Sequence, residues 1–259
     1  EAMIETYNAL PDTRRYALTQ EFFANRLDQP SWNFKWKENL ADGPFWRKGS
    51  VRFQSGVAIP VYIIGGLLDG YRDTVVRLLN SPKPQVKADI GPWKHEWQGT
   101  GTPGPNYEWR KKALKWWDHW LKGIDNGSMG EPRFAVFMRD SVPPSEDIIT
   151  TPGEWRCGNW PVGGIKERRF YQGENRRLAS APPDNAKPYM LAYKAGAGSG
   201  IHGRWGKTSG NMAFDDQRST VFDSEPLKES VEIMGLPKVN LTVSADAPLY
   251  QWSVRLENV

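Results

Sequence analysis

The spacing of apolar and polar positions divides the chain into three stretches. In residues 1–50, aromatic and charged residues follow one another without strict alternation, which argues against strands. The pattern predicts two short helices there, over residues 21–27 and 32–40, separated at Pro30. Because two helices this short cannot bury their aromatic faces on each other, we predict that they pack on another part of the protein as a cap.

Residues 51–130 have the pattern of a strand, a helix and a second strand. Residues 61–64 are a continuous β-branched and aromatic run, and residues 86–90 begin a second strand. Each segment ends in a glycine turn, and we interpret both as buried strands. Between them, Asp73 is placed to cap a short helix. A right-handed crossover then makes the two strands neighbours in a parallel sheet. One such unit is too little for a whole α/β domain, so we expect the remaining strands upstream of Glu1.

The second stretch closes with the clearest helix of the sequence. Residues 106–123 place tryptophans on one face and lysines and arginines on the other, with Asn106 as the expected cap and Gly123 as the end.

From residue 132 onward, short strand patterns alternate with Pro- and Gly-rich turns, which predicts an all-β sandwich or jelly roll. The predicted strands are 133–139, 168–171, 189–193, 219–222, 231–234, 239–243 and 252–256. The last of them runs into the C-terminus, so we expect this domain to be truncated.

The composition excludes several classes of protein. The net charge of +4 comes from 34 basic and 30 acidic residues that are spread along the chain, so no basic stripe for nucleic acid is evident. No apolar run approaches the ~20 residues of a membrane span. A single cysteine excludes an internal disulfide and a cysteine-rich metal site. The 13 tryptophans either fill a core or line an apolar pocket, and we favour the core for most of them.

Asp69 and His95 are the residues most suggestive of chemistry. Each follows one of the two predicted parallel strands, and the carboxyl ends of such strands form the rim where ligands bind. A carboxylate and an imidazole at one rim are two thirds of a nucleophilic triad, although a loop-capping aspartate and a packed histidine are the alternative interpretation. Zinc-ligand spacing, a phosphate loop and a dinucleotide fingerprint are absent, so we predict no metal and no cofactor.

The third member of a triad is not found in the sequence. The nucleophile elbow Gly-x-Ser-x-Gly does not occur, and the nearest match, Asn126-Gly127-Ser128-Met129-Gly130, lacks the first glycine and follows a helix instead of a strand.

Several longer motifs carry a resemblance. They are Gly65-Gly-Leu-Leu-Asp-Gly-Tyr-Arg72, Ile90-Gly-Pro-Trp-Lys-His95, Trp116-Trp-Asp-His-Trp-Leu-Lys-Gly-Ile-Asp125, Asp216-Gln-Arg-Ser-Thr-Val-Phe-Asp223, Glu225-Pro-Leu227 and Val231-Glu-Ile-Met-Gly235. In this order they resemble the cocaine esterase and X-Pro dipeptidyl-peptidase family of α/β-hydrolases, over the chain from about Phe45 to Val259.

The resemblance implies a fold of the α/β plus all-β class. We expect the C-terminal part of an α/β-hydrolase sheet with a remnant of its cap, followed by a β-sandwich of the jelly-roll type. The implied domains are a helical cap over residues 1–50, the hydrolase part over 51–130 and the sandwich over 131–259.

The resemblance also implies roles for individual residues. His95 is the expected general base, and Asp69 is expected to orient its imidazole and to stabilise the imidazolium. Leu67 stands where the family usually has an aromatic residue, which predicts a different pocket wall beside Asp69. Tyr71 is a further candidate for that wall, and Trp32 and Trp36 are candidates from the cap. The serine elbow and the oxyanion-hole tyrosine of the family lie upstream of the cap, so this chain alone is not expected to catalyse.

Two functions therefore remain. The first is the C-terminal portion of a serine hydrolase that acts on a small ester, amide or peptide through an acyl-enzyme, with the N-terminal part of the same hydrolase as its partner. The second is a non-catalytic jelly-roll module that binds carbohydrate or protein. Neither involves nucleic acid or a membrane, and the sequence leaves homo-oligomerisation and the compartment open.

Overall fold

In the computed structural model the chain divides into two compact units, Glu1–Phe53 and Gln54–Val259. The structure describes residues 20–27, 32–47, 50, 58–80, 85–145, 147–190, 211–217, 219–248, 250 and 252–258.

In the first unit, the described helices are α1 (Gln20–Leu27), α2 (Trp32–Glu38) and α3 (Pro44–Arg47). The indole N–H of Trp46 donates to the backbone carbonyl of Asn39 over 2.6 Å, and its ring contacts those of Trp36 and Phe45. This cluster joins α2 to α3. The two helices predicted from the sequence are confirmed, the second ending at residue 38 and not 40.

The second unit is built on a sheet of four strands in the order β1 (Val61–Gly66), β2 (Val86–Gly91), β3 (Phe134–Arg139) and β4 (Gly153–Gly158). The first three strands are parallel, and β4 is antiparallel to β3. Val61 pairs with Val86 and Gly66 with Gly91, so β1 and β2 end at the same level of the sheet.

Helices α4 (Arg72–Leu79) and α5 (Trp109–Lys122) cover opposite faces of this sheet. A Cβ atom on Gly65 would lie 2.6 Å from Val75 of α4, whereas the ring of Tyr62 lies 5.6 Å from that of Trp116 on α5. Because successive strand residues point to opposite faces, Tyr62 and Gly65 mark different sides. The predicted β-α-β unit is confirmed. The buried apolar residues of α4, β2 and β3 include Val75, Leu79, Val86, Ala88, Ile90, Phe134 and Val136.

Both predicted helix caps are wrong. Helix α4 begins at Arg72, so Asp73 lies in its first turn and forms an exposed ion pair with Arg77. Helix α5 begins at Trp109, three residues after Asn106. Its predicted end is right, because Gly123 adopts the left-handed conformation, with φ of 69°, that glycine tolerates best.

The strand predicted at residues 133–139 exists, but it extends the parallel sheet. Four consecutive residues of β3, from Phe134 to Phe137, are buried, which is typical of a strand covered on both faces. The sheet thus continues past residue 130, where the sequence predicts a change of domain.

Most of the later strands predicted from the sequence do not form ladders among the described residues. The segment 168–171 contributes only Tyr171 to β5 (Tyr171–Gln172), which pairs with β6 (Leu178–Ala179). Residues 219–222, 231–234, 239–243 and 252–256 are in no strand. The prediction at 189–193 is wrong for its first two residues, and the other three lie outside the described residues. Alternation of apolar and polar residues predicts which face of a strand would be buried, but a hydrogen-bonded ladder also needs a neighbouring strand to pair with. The jelly roll stays a prediction.

A short helix, α6 (Ala213–Asp216), and two 3-10 turns, Ser128–Gly130 and Glu174–Arg176, complete the described elements. Among the described residues, no helix combines the length and the apolar character that crossing a membrane requires.

Candidate functional site

Two loops leave the carboxyl ends of β1 and β2 and bring Asp69 to His95. The Oδ2 atom of Asp69 lies 2.9 Å from Nδ1 of His95. The carboxylate is mostly buried, with 14% of its side chain exposed, whereas the imidazole is 50% exposed. A buried acid therefore supports an accessible base, which is the geometry that a proton-shuttling histidine needs.

The loop after β1 fixes the direction of the Asp69 carboxylate. Its other oxygen, Oδ1, accepts a hydrogen bond of 2.9 Å from the backbone N–H of Tyr71. The backbone N–H of Asp69 donates to the carbonyl of Gly66 over 3.1 Å. The guanidinium of Arg72 donates to the carbonyl of Leu67 and closes the same turn. One carboxylate oxygen thus accepts a hydrogen bond from the loop backbone, and the other contacts the histidine.

The loop after β2 is held by Trp93, which is completely buried. Its backbone carbonyl accepts the N–H of Leu68 over 3.1 Å, and the carbonyl of Gly91 accepts that of Leu67 over 2.8 Å. A Cβ atom on Gly66 would lie 2.1 Å from the Trp93 carbonyl oxygen, so a side chain at residue 66 would overlap this backbone. The absence of a side chain there lets the two loops touch.

Further contacts anchor the segment around His95. The backbone N–H of Lys94 donates to the carbonyl of Thr102 over 3.1 Å, and the N–H of Thr102 donates to the carboxylate of Glu96 over 2.8 Å. The indole N–H of Trp93 donates to the carbonyl of Pro105 over 2.9 Å. His95 is therefore carried by backbone that is tied down on both sides.

The structure brings together three of the six site residues predicted from the sequence. Tyr71 contacts His95 with its ring at 5.6 Å between centroids, so it joins Asp69 and His95. Leu67 lies half-buried in the same loop as Asp69. Trp32 and Trp36 belong to α2 of the first unit, and their assignment to a substrate pocket stays a prediction.

Sequence reasoning missed a polar cluster around a buried carboxylate beneath this site, which we call the Asp89 cluster: Asp89, Tyr62, Tyr107 and Lys112. The Oδ2 atom of Asp89 accepts hydrogen bonds from the hydroxyls of Tyr62 (2.6 Å) and Tyr107 (2.8 Å) and from the ammonium of Lys112 (2.8 Å). The signal was available in the sequence, because Asp89 interrupts an apolar strand and a charge there is rarely buried without partners.

The electrostatics of the Asp89 cluster keep its hydroxyls protonated. Burial, followed by the nearby negative charge of Asp89 and its hydrogen bonds, raises the pKa of Tyr62 and of Tyr107 well above the ordinary value for tyrosine. Both hydroxyls therefore act as donors to the carboxylate throughout the neutral range.

The described residues contain no group of three or more His, Cys, Asp or Glu side chains arranged to hold a metal ion.

Comparison with known families finds one matching family model in each half of the chain. Residues 5–97 match the model of the X-Pro dipeptidyl-peptidase family S15, and residues 126–259 match the X-Pro dipeptidyl-peptidase C-terminal non-catalytic domain. The chain belongs to the X-Pro dipeptidyl-peptidase family of serine hydrolases, and the resemblance read from the sequence is confirmed. Asp69 and His95 both lie within the first of the two matched regions.

Individual relatives carry names of two kinds. A protein of Mycobacterium bovis, named provisionally as a serine esterase, is 25% identical over 234 residues, which are 83% of this chain and 34% of that protein. A protein of Bacillus cereus, named provisionally as an Xaa-Pro dipeptidyl-peptidase, is 24% identical over 158 residues, which are 60% of this chain and 24% of that protein. The chain thus spans between a quarter and a third of the length of these relatives.

Proposed function

We propose that this chain supplies the acid and the base of a Ser-His-Asp triad in a serine hydrolase that cleaves an ester or an amide. The nucleophilic serine comes from a segment outside this chain. The observation that carries the proposal is the 2.9 Å contact between Asp69 and His95 at the carboxyl ends of two parallel strands. The match of this region to family S15 supports it.

The geometry of the pair supports a proposed role for each of its atoms. With Nδ1 directed at Asp69, the Nε2 atom of His95 takes the proton of the serine hydroxyl as its oxygen attacks the substrate carbonyl. Asp69 stabilises the imidazolium that forms, and Nε2 then returns the proton to the leaving alcohol or amine. The acyl-enzyme is hydrolysed by the same steps, with water in place of the serine.

Ser128 does not fit the role of the nucleophile, although it lies in the nearest match to an elbow. It is buried in a 3-10 turn, and its backbone carbonyl accepts a hydrogen bond from Lys87. Lys87 is four residues before Gly91, where β2 ends, and four residues of strand correspond to roughly 13 Å. Ser128 therefore lies beside the opposite end of β2 from the loop that carries His95.

The names of the relatives and the residues around His95 support a proposal for the substrate class. Because relatives are named for esterase and for Xaa-Pro dipeptidyl-peptidase activity, we propose a small ester, amide or short peptide. The exposed ring of Tyr71 contacts His95 and forms one wall for the group that is cleaved. Leu67, half-buried in the same loop, is an aliphatic candidate for that wall at a position where the family usually has an aromatic residue.

Residues 126–259 take a supporting role in this proposal. Their family description is non-catalytic, and their first strand, β3, pairs with β2 of the sheet that carries His95. The alternative of a carbohydrate- or protein-binding module stays a prediction.

Covalent labelling of the nucleophilic serine tests the proposal. We expect a fluorophosphonate probe to label the complete hydrolase, in which this chain is joined to the segment that contains the serine. His95→Ala should abolish labelling, because the serine loses its base. The matched control is His119→Ala, since His119 lies on α5 with its Nδ1 near the carbonyl of Ile124. Labelling of the His95→Ala variant at the unmodified rate would overturn the assignment.

A further inference from the structure

The Asp89 cluster joins four parts of the second unit. Tyr62 comes from β1, Asp89 from β2 and Lys112 from α5, and Tyr107 lies in the segment that precedes α5. The Asp89 side chain is only 3% exposed, and all three donors converge on its Oδ2 atom. A charge buried this deeply requires its full set of partners, so the cluster fixes where each of them lies.

One member of the Asp89 cluster also contacts the loop that carries His95. The ring of Tyr107 lies 5.4 Å from that of Trp93, and Trp93 precedes His95 by two residues. The segment of Tyr107 approaches the same loop at two more points. The backbone N–H of Tyr107 donates to the carbonyl of Gln98 over 3.2 Å, and the carbonyl of Pro105 accepts the indole N–H of Trp93.

Trp93 is in turn the residue through which the two catalytic loops meet. Its indole packs on the backbone at Gly91, where a Cβ atom would lie 2.3 Å from the ring. Its carbonyl accepts the N–H of Leu68, one residue before Asp69. A shift of the Trp93 ring would therefore move the backbone of both loops and change the approach of His95 to Asp69.

We propose that Asp89 is a positioning residue for His95, holding Tyr107 against Trp93 and thereby keeping the His95 loop in register with the Asp69 loop. This inference rests on the proposed function of the Asp69–His95 pair. Asp89 acts through Tyr107 and Trp93 and is not itself a catalytic residue, because it lies within the sheet and beneath the rim.

Two tyrosines give the experiment a matched pair of variants. Tyr107→Phe and Tyr62→Phe each remove one hydroxyl from the same Asp89 oxygen. The ring of Tyr107 contacts Trp93, whereas that of Tyr62 contacts Trp116 on α5. If Asp89 had only a structural role, the two variants would affect His95 equally.

The primary measurement is the ¹⁵N spectrum of the histidine side chains in this chain. Loss of signals in His95→Ala assigns the ring nitrogens of His95, and Asp69→Asn provides the spectrum of the unsupported imidazole. We expect Tyr107→Phe to shift the His95 signals toward those of Asp69→Asn, and Asp89→Asn to shift them further. Tyr62→Phe should leave them in place. Equal shifts in both tyrosine variants, or no shift in Tyr107→Phe, would overturn the proposal.

The labelling rate of the complete hydrolase, together with the spectra, tests the positioning role of Asp89 separately from the proposed Asp69–His95 pair. Because misplacement of a catalytic group by about 1 Å costs up to roughly a hundredfold in rate, we expect a tenfold to hundredfold loss for Tyr107→Phe and little loss for Tyr62→Phe. If Asp69→Asn leaves the His95 spectrum unchanged, the proposed Asp69–His95 pair fails. If Asp69→Asn changes the spectrum while Tyr107→Phe does not, only the positioning role fails.

Discussion

The two oxygens of the Asp69 carboxylate have different tasks. Oδ1 accepts the backbone N–H of Tyr71, and Oδ2 contacts the imidazole of His95. The first contact sets the orientation of the carboxylate, and in the proposed mechanism the second supplies negative charge where an imidazolium forms. Replacing Asp69 by asparagine keeps a side chain of the same shape but removes the charge, so it tests the second task directly.

We expect Asp69→Asn to lower the rate of phosphonate labelling by roughly three to four orders of magnitude, because the amide cannot stabilise the imidazolium or hold the required tautomer. The rate is measured with the complete hydrolase. The control is Asp73→Asn, which removes an exposed carboxylate from the first turn of α4. A loss below tenfold in Asp69→Asn would contradict the role of Asp69.

Gly66 is the residue at which the two loops come closest, and it makes a second prediction at this scale. A methyl group there would lie 2.1 Å from the backbone oxygen of Trp93. We therefore expect Gly66→Ala to destabilise the protein by about 1–3 kcal/mol, as overpacking does, and to displace the His95 loop. Urea unfolding of this chain measures the free energy.

Gly158→Ala is the matched control for Gly66→Ala. Gly158 ends β4, and a Cβ atom there would have no atom within 4 Å, so its effect should be small. Equal stability of the Gly66→Ala and Gly158→Ala variants would show that the close approach at Gly66 is unimportant.

At the scale of elements, α5 is joined to the sheet by charged groups. The Glu131 carboxylate receives hydrogen bonds from Lys87 on β2 and from Lys115 on α5, and Asp89 receives one from Lys112. Burial favours the neutral form of Glu131, but the two lysine hydrogen bonds outweigh it and lower the pKa of this carboxyl. Glu131 thus bridges a strand and the helix that covers it.

The lowered pKa of Glu131 predicts how acid affects stability. The pKa of a glutamate carboxyl in the unfolded chain is about 4.3. When the pKa is lower in the folded state, the ionised carboxyl stabilises the protein at pH values above about 4.3, and this contribution is lost as the pH falls through the folded-state pKa. We expect Glu131→Gln to reduce the free energy of unfolding at pH 7, with the difference from the unmodified chain shrinking below pH 4.

Urea unfolding across that pH range measures the effect of Glu131→Gln, with the exposed residue Glu229 as the control in Glu229→Gln. A difference that is constant with pH would contradict the role of the Glu131 charge.

The elements predicted correctly from the sequence are those whose signal is local. Strands β1 and β2 and helices α4 and α5 were predicted, because a buried run or a helical stripe is visible within a few residues. Strand β4 was not predicted, because its residues are largely exposed and it becomes a strand through six paired positions with β3. The later alternating segments show the converse, since their pattern is right for strands but, apart from Tyr171 in β5, their described residues form no ladder.

The candidate site divides in the same way. The proximity of Asp69 and His95 was predicted, because the carboxyl ends of adjacent parallel strands lie at one rim, whereas their catalytic roles stay a prediction. The Asp89 cluster was missed, because its donors come from residues 62, 107 and 112, and only the register of β1 on β2 and the packing of α5 bring them together.

For the whole molecule, the half-buried tyrosines of the Asp89 cluster predict a sensitivity to alkali. The pKa values of Tyr62 and Tyr107 are raised in the folded state, first by burial and then by Asp89. The unfolded chain releases these protons above its own tyrosine pKa of about 10, whereas the folded chain retains them. The unfolded state therefore binds fewer protons, and stability falls as the pH rises beyond that value.

We expect the double variant Tyr62→Phe/Tyr107→Phe to lose this alkaline sensitivity in part. It should be less stable than the unmodified chain at pH 8, because two hydrogen bonds to a buried carboxylate are gone. Its free energy of unfolding should then fall less steeply between pH 10 and 12. The exposed Tyr250 provides the control in Tyr250→Phe. Equal slopes in the double variant and the unmodified chain would contradict the protonated state of the two hydroxyls.

The pairing of β3 with β2 also has a consequence for how such hydrolases exchange domains. The region matched to the non-catalytic domain begins at residue 126, yet its first strand lies between β2 and β4 in one sheet. A recombination junction at residue 126 would graft a foreign β3 onto β2 and mismatch the side chains that fill this sheet. A junction after Gly158 would transfer the later region and leave all four strands native. Hybrids of the second kind should melt in one cooperative transition, whereas those of the first kind should lose the sheet together with the histidine it holds.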